Sequence, residues 1–188
     1  AQWHFAGPTR PVEELFDCQK DPNNLNNLAG SKEHQKVLEH LRKEHKRHIR
    51  RTVDLGFLPE SEAWTMFEGS SGWEMGQGGK VSVGPSQKAA AQVGVADEGV
   101  FLKNLISKDA NVRYWGAIGL CARKEKPSAK AMKKLRASLK DSSAAVRIEA
   151  ANALAAHGDI KAALPALVKD LAHENLIIVT HAARTIEL

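Results

Sequence analysis

A nine-residue pattern that occurs three times in the C-terminal half constrains the fold of this chain more than any other feature. The copies begin at Val112, Val146 and Ile178. In each copy, Gly or Ala stands four and five positions after the start, and Leu or Ile stands eight positions after it. These positions lie on one face of an α-helix. The pattern therefore predicts three equivalent helices, each with one buried face.

Each predicted helix has a partner helix upstream, because apolar residues precede the three starts at matching distances: Leu105, Leu139 and Leu171, and before them Phe101, Leu135 and Leu167. The segments between the two helices of each pair are polar. The copies begin 34 and 32 residues apart. A repeat of this length, built from a helix, a turn and a second helix, is typical of an α-solenoid. We expect a mainly α fold, with the solenoid in residues 97–188.

The repeats resemble HEAT repeats. The best-matched copy has Asp141 upstream of Val146-Arg147, followed by the small residues and Leu of the D-(x)n-V-R-x-x-A-A-x-A-L signature. The first copy has fewer residues between its Asp and Val112, and the third has Val179 where the Arg stands. The resemblance implies a ladder of Asp and Arg side chains, for which the sequence supports only Asp141 and Arg147.

Residues 1–60 differ from the repeats. Residues 2–6 and 13–18 are short stretches with strand character, and Asp21-Pro22-Asn23-Asn24 is a turn sequence. Ser31 is a suitable N-cap for a following helix whose apolar side holds Val37, Leu38, Leu41, His45, His48 and Ile49. We expect a small β-hairpin followed by one helix.

Two stretches of this region resemble type I, formylglycine-dependent sulfatases of the heparan N-sulfatase-like kind. Their E-L-Y-D-L-x-x-D-P-x-E-x-x-N-L-A segment resembles Glu14-Leu15-Phe16-Asp17, Asp21-Pro22 and Asn26-Asn27-Leu28-Ala29. This chain departs from it with Phe16 for Tyr, Cys18 for Leu and Asn24 for Glu. Leu55-Gly56-Phe57-Leu58-Pro59-Glu60 resembles their D-x-G-F-L-P-E stretch. The resemblance implies that residues 1–60 belong to the C-terminal subdomain of a sulfatase, that the parent enzyme uses calcium and a formylglycine residue, and that it is periplasmic or secreted.

The catalytic apparatus of that family does not occur in this sequence. Formylglycine forms in a C/S-x-P-x-R motif, and neither Cys18 nor Cys121 is followed by its Pro. We therefore predict no catalytic, cofactor-binding or metal-binding residue in this chain. Because the chain begins with Ala1 rather than Met, we expect a processed end or a fragment. The resulting hypothesis is the C-terminal, non-catalytic portion of a sulfatase-like hydrolase, in which a Gly-rich linker with a short helix, residues 61–96, precedes the repeats. Its first partner would be the missing N-terminal sulfatase domain.

One helix face is a candidate site for a polyanion, and it is formed by Arg42, Lys43, Lys46, Arg47, Arg50 and Arg51. Such a basic run is also typical of a solvated helix face. A net charge of +5 and an aromatic content of 5 % disfavour nucleic acid and leave a protein or a sulfated glycan as the expected partner. His45 and His48 share a face without a third zinc ligand. No apolar run is long enough for a membrane span.

An alternative hypothesis from another class is a free-standing HEAT-repeat scaffold that binds a protein or a polyanion. The two hypotheses differ in what the reading frame encodes upstream of Ala1: a formylglycine motif in the first, a start codon in the second. A nucleic-acid-binding HEAT-like protein related to alkylation-repair glycosylases is a third hypothesis, which rests only on fold and charge.

Overall fold

The structure is a computed structural model that describes residues 10–79 and 81–187. Every regular element in these ranges is helical, so the mainly α fold is confirmed and no β-strand is present there. The elements are α1 Gln35–Thr52, a 3-10 turn Leu55–Phe57, α2 Glu60–Met66, α3 Gly72–Gln77, α4 Gly84–Ala90, α5 Glu98–Asn104, α6 Ala110–Cys121, α7 Ala129–Ser138, α8 Ala144–Ala156, α9 Ile160–Asp170 and α10 Leu176–Glu187. The chain divides into two compact units, residues 1–51 and 52–188.

In the first unit, the predicted hairpin is wrong at residues 13–18, while residues 2–6 lie outside the described part. The side chain of Asn27 forms hydrogen bonds with backbone groups that would otherwise pair with a neighbouring strand. Its Oδ1 accepts from Leu15 N at 3.0 Å and its Nδ2 donates to Glu13 O at 3.0 Å. Leu28 N donates to Leu15 O at 2.7 Å. Because these backbone groups are already bonded within a compact turn structure, the segment needs no sheet.

Helix α1 buries a narrower face than the sequence predicts. Leu38 and Ile49 are buried, whereas Val37 and Leu41 are about half exposed. The helix begins at Gln35, because Ser31 starts a turn instead of capping the helix, and its Oγ lies 2.9 Å from His34 Nδ1. Only Leu38 and Ile49 of the 18 residues of α1 are buried, so most of its surface is exposed.

The second unit begins with short helices in the stretch that the sequence predicts as a Gly-rich linker. Asp54 accepts from Gly56 N and starts the 3-10 turn. Ser71 and Glu74 form a capping box that starts α3. Residues 61–79 and 81–96 thus carry helices α2 to α4 as well as loops. The predicted boundaries between domains stay a prediction.

The three repeats are the helix pairs α5–α6, α7–α8 and α9–α10. Helix α8 is the centre of the unit and contacts α6, α7, α9 and α10. The predicted columns are buried in the first two repeats except at Val112 and Leu139, which are partly buried. Leu120, Leu154, Ala117 and Ala151 are fully inaccessible. The last repeat is less buried, since Ile186 is 40 % exposed whereas the equivalent Leu154 is 0 % exposed.

The small residues of α6 allow α5 to approach closely. A Cβ at Gly119 would lie 2.1 Å from the Phe101 ring, and a Cβ at Gly116 would lie 2.9 Å from Leu105 N. Phe101 is 1 % exposed and has no space to move away. Both glycines are therefore required by packing. Gly116 belongs to the small column of the sequence pattern, whereas Gly119 lies outside it and was not predicted.

Ion pairs connect successive repeats. Arg113 Nε and Nη2 donate to Asp141 Oδ2 and Oδ1, each at 2.7 Å. Arg147 repeats the arrangement with Asp170, with Nη2–Oδ1 at 2.5 Å. The ladder predicted around Asp141 and Arg147 is present, but each Arg is paired with an Asp of the following repeat, and the sequence missed Arg113 and Asp170.

Candidate functional site

The six basic residues predicted as a polyanion site all lie on α1 in the first unit, and all six are exposed. Lys43, Lys46 and Arg50 follow one another at three- and four-residue spacing, which places them on one side of the helix. Arg51 stands beside Arg50 in the last turn of α1. The structure therefore brings together a basic surface on a single helix.

Two of the six cations are already paired with carboxylates. Arg42 binds both carboxylate oxygens of Glu13, with Nε–Oε1 at 2.7 Å, and this hydrogen bond lowers the pKa of Glu13. Arg47 Nη2 lies 2.5 Å from Glu44 Oε2. Within the described residues no ion pair involves the other four: Lys43, Lys46, Arg50 and Arg51. These four, which we call the free basic patch, remain available for an anionic ligand.

The histidines of α1 form no metal site within the part of the chain that the structure describes. No group of three His, Cys, Asp or Glu side chains in residues 10–79 and 81–187 is arranged to hold a metal ion. Cys18 is exposed and Cys121 is partly buried, and both are free thiols. Burial, together with the charge of Glu149, raises the pKa of Cys121, so its thiol is a poor nucleophile.

In the second unit, the stretch that resembles sulfatases lies on the second helices of the repeats. Trp115 Nε1, on α6, donates to Phe57 O at 2.8 Å. Ser143 Oγ, at the N-cap of α8, donates to Glu62 Oε1 at 2.5 Å. Helix α2 also contacts α10. Residues 55–66 therefore cross all three second helices, which no periodicity in the sequence predicts.

A cavity of about 290 Å³ opens between the start of α2 and the helices α6 and α10. Its polar lining consists of Glu60, Ser61, Tyr114, Thr180, His181 and Arg184. A second cavity of about 380 Å³ shares Ser61 with the first and is lined by residues of α8 and by the loop before α10. Residues 55–66, which we call the docked segment, therefore leave part of the surface of the second helices uncovered.

A buried carboxylate stands behind the first cavity. Glu149, on α8, is 8 % exposed, and its Oε1 lies 2.8 Å from His181 Nε2. Asn152 Nδ2 donates to Glu149 Oε2 at 3.1 Å. Burial and the charge of Glu149 raise the pKa of Tyr114 to about 12, so the phenol stays protonated. These groups lie on three second helices and could not be grouped from the sequence, where they are spread over three repeats.

Comparison with known proteins confirms the repeats. Residues 100–187 match the family of HEAT repeats. The chain is also 46 % identical over 61 residues to an Ulvan-active sulfatase from Formosa agariphila, a match that covers 32 % of this chain and 10 % of the relative. The chain thus spans about a tenth of the length of that curated relative. No solved structure matches it. No helix in the described ranges is long and apolar enough to cross a membrane.

Proposed function

We propose that this chain is the C-terminal, non-catalytic portion of a sulfatase-like hydrolase, and that its HEAT repeats serve a structural and binding role. Hydrolysis of a sulfate ester or a sulfamate would be the task of a domain encoded upstream, with the formylglycine residue and calcium of that family. The repeats would stiffen the end of the enzyme and present a surface to its substrate or to a partner.

The observation that carries the proposal is the docking of the sulfatase-like stretch onto the repeats. Phe57 belongs to the G-F-L-P-E sequence, and its carbonyl is bonded by Trp115 of the first repeat. Glu62, a few residues later, is bonded by Ser143 of the second repeat. The second sulfatase-like stretch, residues 55–60, therefore belongs with the repeats to the compact unit 52–188, whereas the first stretch, residues 14–29, belongs to the other unit. This integration favours a single enzyme over a linker joining two unrelated parts.

The partial match to a sulfatase gives independent support. An identity of 46 % over 61 residues is similarity at the level of the sequence rather than of the fold alone. A free-standing HEAT-repeat scaffold would not require this similarity. The activity follows from the parent family and not from any group of the described chain.

Activity measurements test the proposal. The purified chain is expected not to release 4-nitrophenol from 4-nitrophenyl sulfate. The product of the reading frame extended upstream is expected to release it, and to lose this activity when the Cys or Ser of its formylglycine motif is changed to Ala. Turnover by the present chain alone, abolished by changing one of its own residues, would contradict the proposal.

The free basic patch on α1 is the surface that we propose for contact with a sulfated polyanion. Four exposed cations that form no ion pair within the described residues attract a polyanion by a salt-dependent electrostatic term, although the charge of Lys46 also acts on Glu13. The chain is expected to bind immobilised heparin, and the fourfold change of Lys43, Lys46, Arg50 and Arg51 to Gln should lower the salt concentration of elution. A control with the same loss of charge changes Lys124, Lys126, Lys130 and Lys133, which are exposed in the second unit. Equal elution of both variants would show that only net charge matters and would contradict a specific patch.

A further inference from the structure

Ser61 presents a buried hydroxyl that the protein leaves unpaired. The residue is 3 % exposed, and its Oγ has no hydrogen-bond partner among the described residues. Buried hydroxyls in folded proteins are normally bonded to protein or to ordered water. Ser61 lines the cavity of about 290 Å³ between α2, α6 and α10. The Oγ atom is itself closed to solvent, so a ligand in that cavity bonds it only after the Ser61 side chain rotates towards the cavity.

A second neutral donor reaches the same cavity from α6. Tyr114 is kept protonated, because burial and the charge of Glu149 raise its pKa to about 12. Its ring is fixed by a T-shaped contact with Trp115, with centroids 5.3 Å apart. No residue within the described ranges is hydrogen-bonded to the Tyr114 hydroxyl. Tyr114 therefore lines the cavity with a neutral phenol that has no hydrogen-bond partner among the described residues.

The outer part of the cavity carries charges of both signs. Arg184 and Glu60 are both exposed, and no ion pair is made by either of them within residues 10–79 and 81–187. The guanidinium of Arg184 presents a planar fork of donors that suits sulfate and carboxylate groups. The carboxylate of Glu60 accepts hydrogen bonds from hydroxyl groups. Ile177 contributes an apolar surface beside them.

We propose that this cavity binds one sugar ring that carries an anionic substituent, either a sulfate or a carboxylate. Arg184 binds the anionic group at the outer side, while Ser61, Tyr114 and Glu60 bind the ring hydroxyls. A volume of about 290 Å³ is at the lower end of small-molecule pockets and suits one ring rather than a longer oligosaccharide. The inference rests on the proposed function, to which it adds a glycan-binding site on the repeats.

Titration of the isotope-labelled chain, followed by amide and side-chain NMR, tests the site. The probes are D-glucose 6-sulfate, D-glucuronate, D-glucose and inorganic sulfate. We expect saturable shifts at Ser61, Tyr114 and Arg184, with a Kd on the order of 1–10 mM for the best charged sugar. The ratio of the Kd values for the sulfated and carboxylated sugars shows which anion the site prefers. If inorganic sulfate binds as well as either charged sugar, the site holds an adventitious ion only. If no probe gives a saturable shift, the cavity holds water only. Either result would overturn the proposal.

Variants separate binding from folding. Ser61→Ala and Tyr114→Phe should each weaken binding of the charged sugar by roughly five- to tenfold, because each removes one hydrogen bond. Ser61→Ala should leave the melting temperature unchanged or raise it, since it removes an unpaired hydroxyl; a purely structural Ser61 would give a lower melting temperature and unchanged binding. Arg184→Gln should make the charged sugar bind no better than D-glucose.

A matched control completes the design. Lys169→Gln removes one exposed positive charge from α9, outside the cavity, and should leave every Kd unchanged. If Arg184→Gln behaves like this control, the proposed role of Arg184 is overturned. The test needs no catalytic activity, so its failure would leave the sulfatase assignment standing, and failure of the sulfatase assignment would not alter the measured Kd values.

Discussion

Arg113 and Asp141 stand 28 residues apart in the chain and form a two-bond ion pair, with Nε–Oδ2 and Nη2–Oδ1 distances of 2.7 Å. The side chains are only 14 % and 12 % exposed. Arg113 also donates to Ser107 O at 3.0 Å, so it connects the turn of its own repeat with the Asp of the next. This pair holds two repeats in register, and the first prediction concerns the effect of removing it.

Asp141→Asn is expected to lower the free energy of unfolding of the second unit by about 2–4 kcal/mol, because it removes the bidentate carboxylate partner of the largely buried Arg113 guanidinium and leaves only the more distant charges of Glu62 and Asp109. Arg136→Gln is the control, since Arg136 pairs with Asp159 but is 53 % exposed. Its loss should cost about 0–1 kcal/mol. Urea unfolding followed by circular dichroism measures both. Equal losses in the two variants would show that the ladder contributes no more than a surface ion pair.

The same pair predicts a dependence of stability on pH. Burial tends to raise the pKa of Asp141, but hydrogen bonds from Arg113 and from Ser143 N, together with the charge of Arg113, lower it overall. A carboxyl group with a lowered folded-state pKa adds stability above its unfolded pKa of about 3.9, and this is lost as pH falls through the folded-state value. The stability difference between the native chain and Asp141→Asn should be constant between about pH 7 and pH 5 and shrink below about pH 4. A difference that stays constant down to pH 3 would contradict this assignment.

The repeats could be predicted because their signal is periodic. The small and apolar columns recur in each copy, and burial of Leu120 and Leu154 follows from that pattern alone. Arg113 could have been recognised as a ladder member, because it occupies the same place after Val112 as Arg147 does after Val146. Asp170 could not, since it lies near the end of α9 rather than in a turn, where the ladder residue was expected.

The errors of prediction fall where structure depends on single, non-periodic contacts. Residues 13–18 have strand-like composition, yet Asn27 bonds their backbone through its side chain. Strand preference depends on the presence of neighbouring strands, and the described residues offer none. The docking of residues 55–66 on the repeats is made by single hydrogen bonds between distant residues, Trp115 with Phe57 and Ser143 with Glu62. The cavity above Tyr114 and His181 exists only because that docking occurs.

Gly119→Ala is expected to destabilise the second unit by about 1–3 kcal/mol or more, because the added Cβ would lie 2.1 Å from the buried Phe101 ring. Gly99→Ala is the matched control in α5, where nothing lies within 4 Å of the added Cβ. There the higher helix propensity of Ala should raise stability by about 0.5–1 kcal/mol. Thermal unfolding measures both variants. A neutral Gly119→Ala would mean that α5 and α6 are further apart than described.

Trp115→Phe should weaken the attachment of residues 55–66 to the repeats while keeping an aromatic ring at position 115. The change removes the Nε1 donor that binds Phe57 O at 2.8 Å. Amide exchange of Leu58, whose N–H is bonded to Leu55 O, should rise by roughly tenfold, since a lost hydrogen bond of about 1.4 kcal/mol lowers the local opening energy. Trp73→Phe, at a position 72 % exposed, is the control and should leave this amide unchanged. The same protection in both variants would show that the segment is held by other contacts.

Mass spectrometry of the product of the upstream-extended reading frame tests the central claim most directly. The assignment to a sulfatase-like hydrolase predicts a C/S-x-P-x-R motif in the preceding domain, with its first residue converted to formylglycine in the purified protein. A reading frame that starts just before Ala1, or an extended product that lacks both the motif and the modification, would contradict it and would leave a HEAT-repeat scaffold.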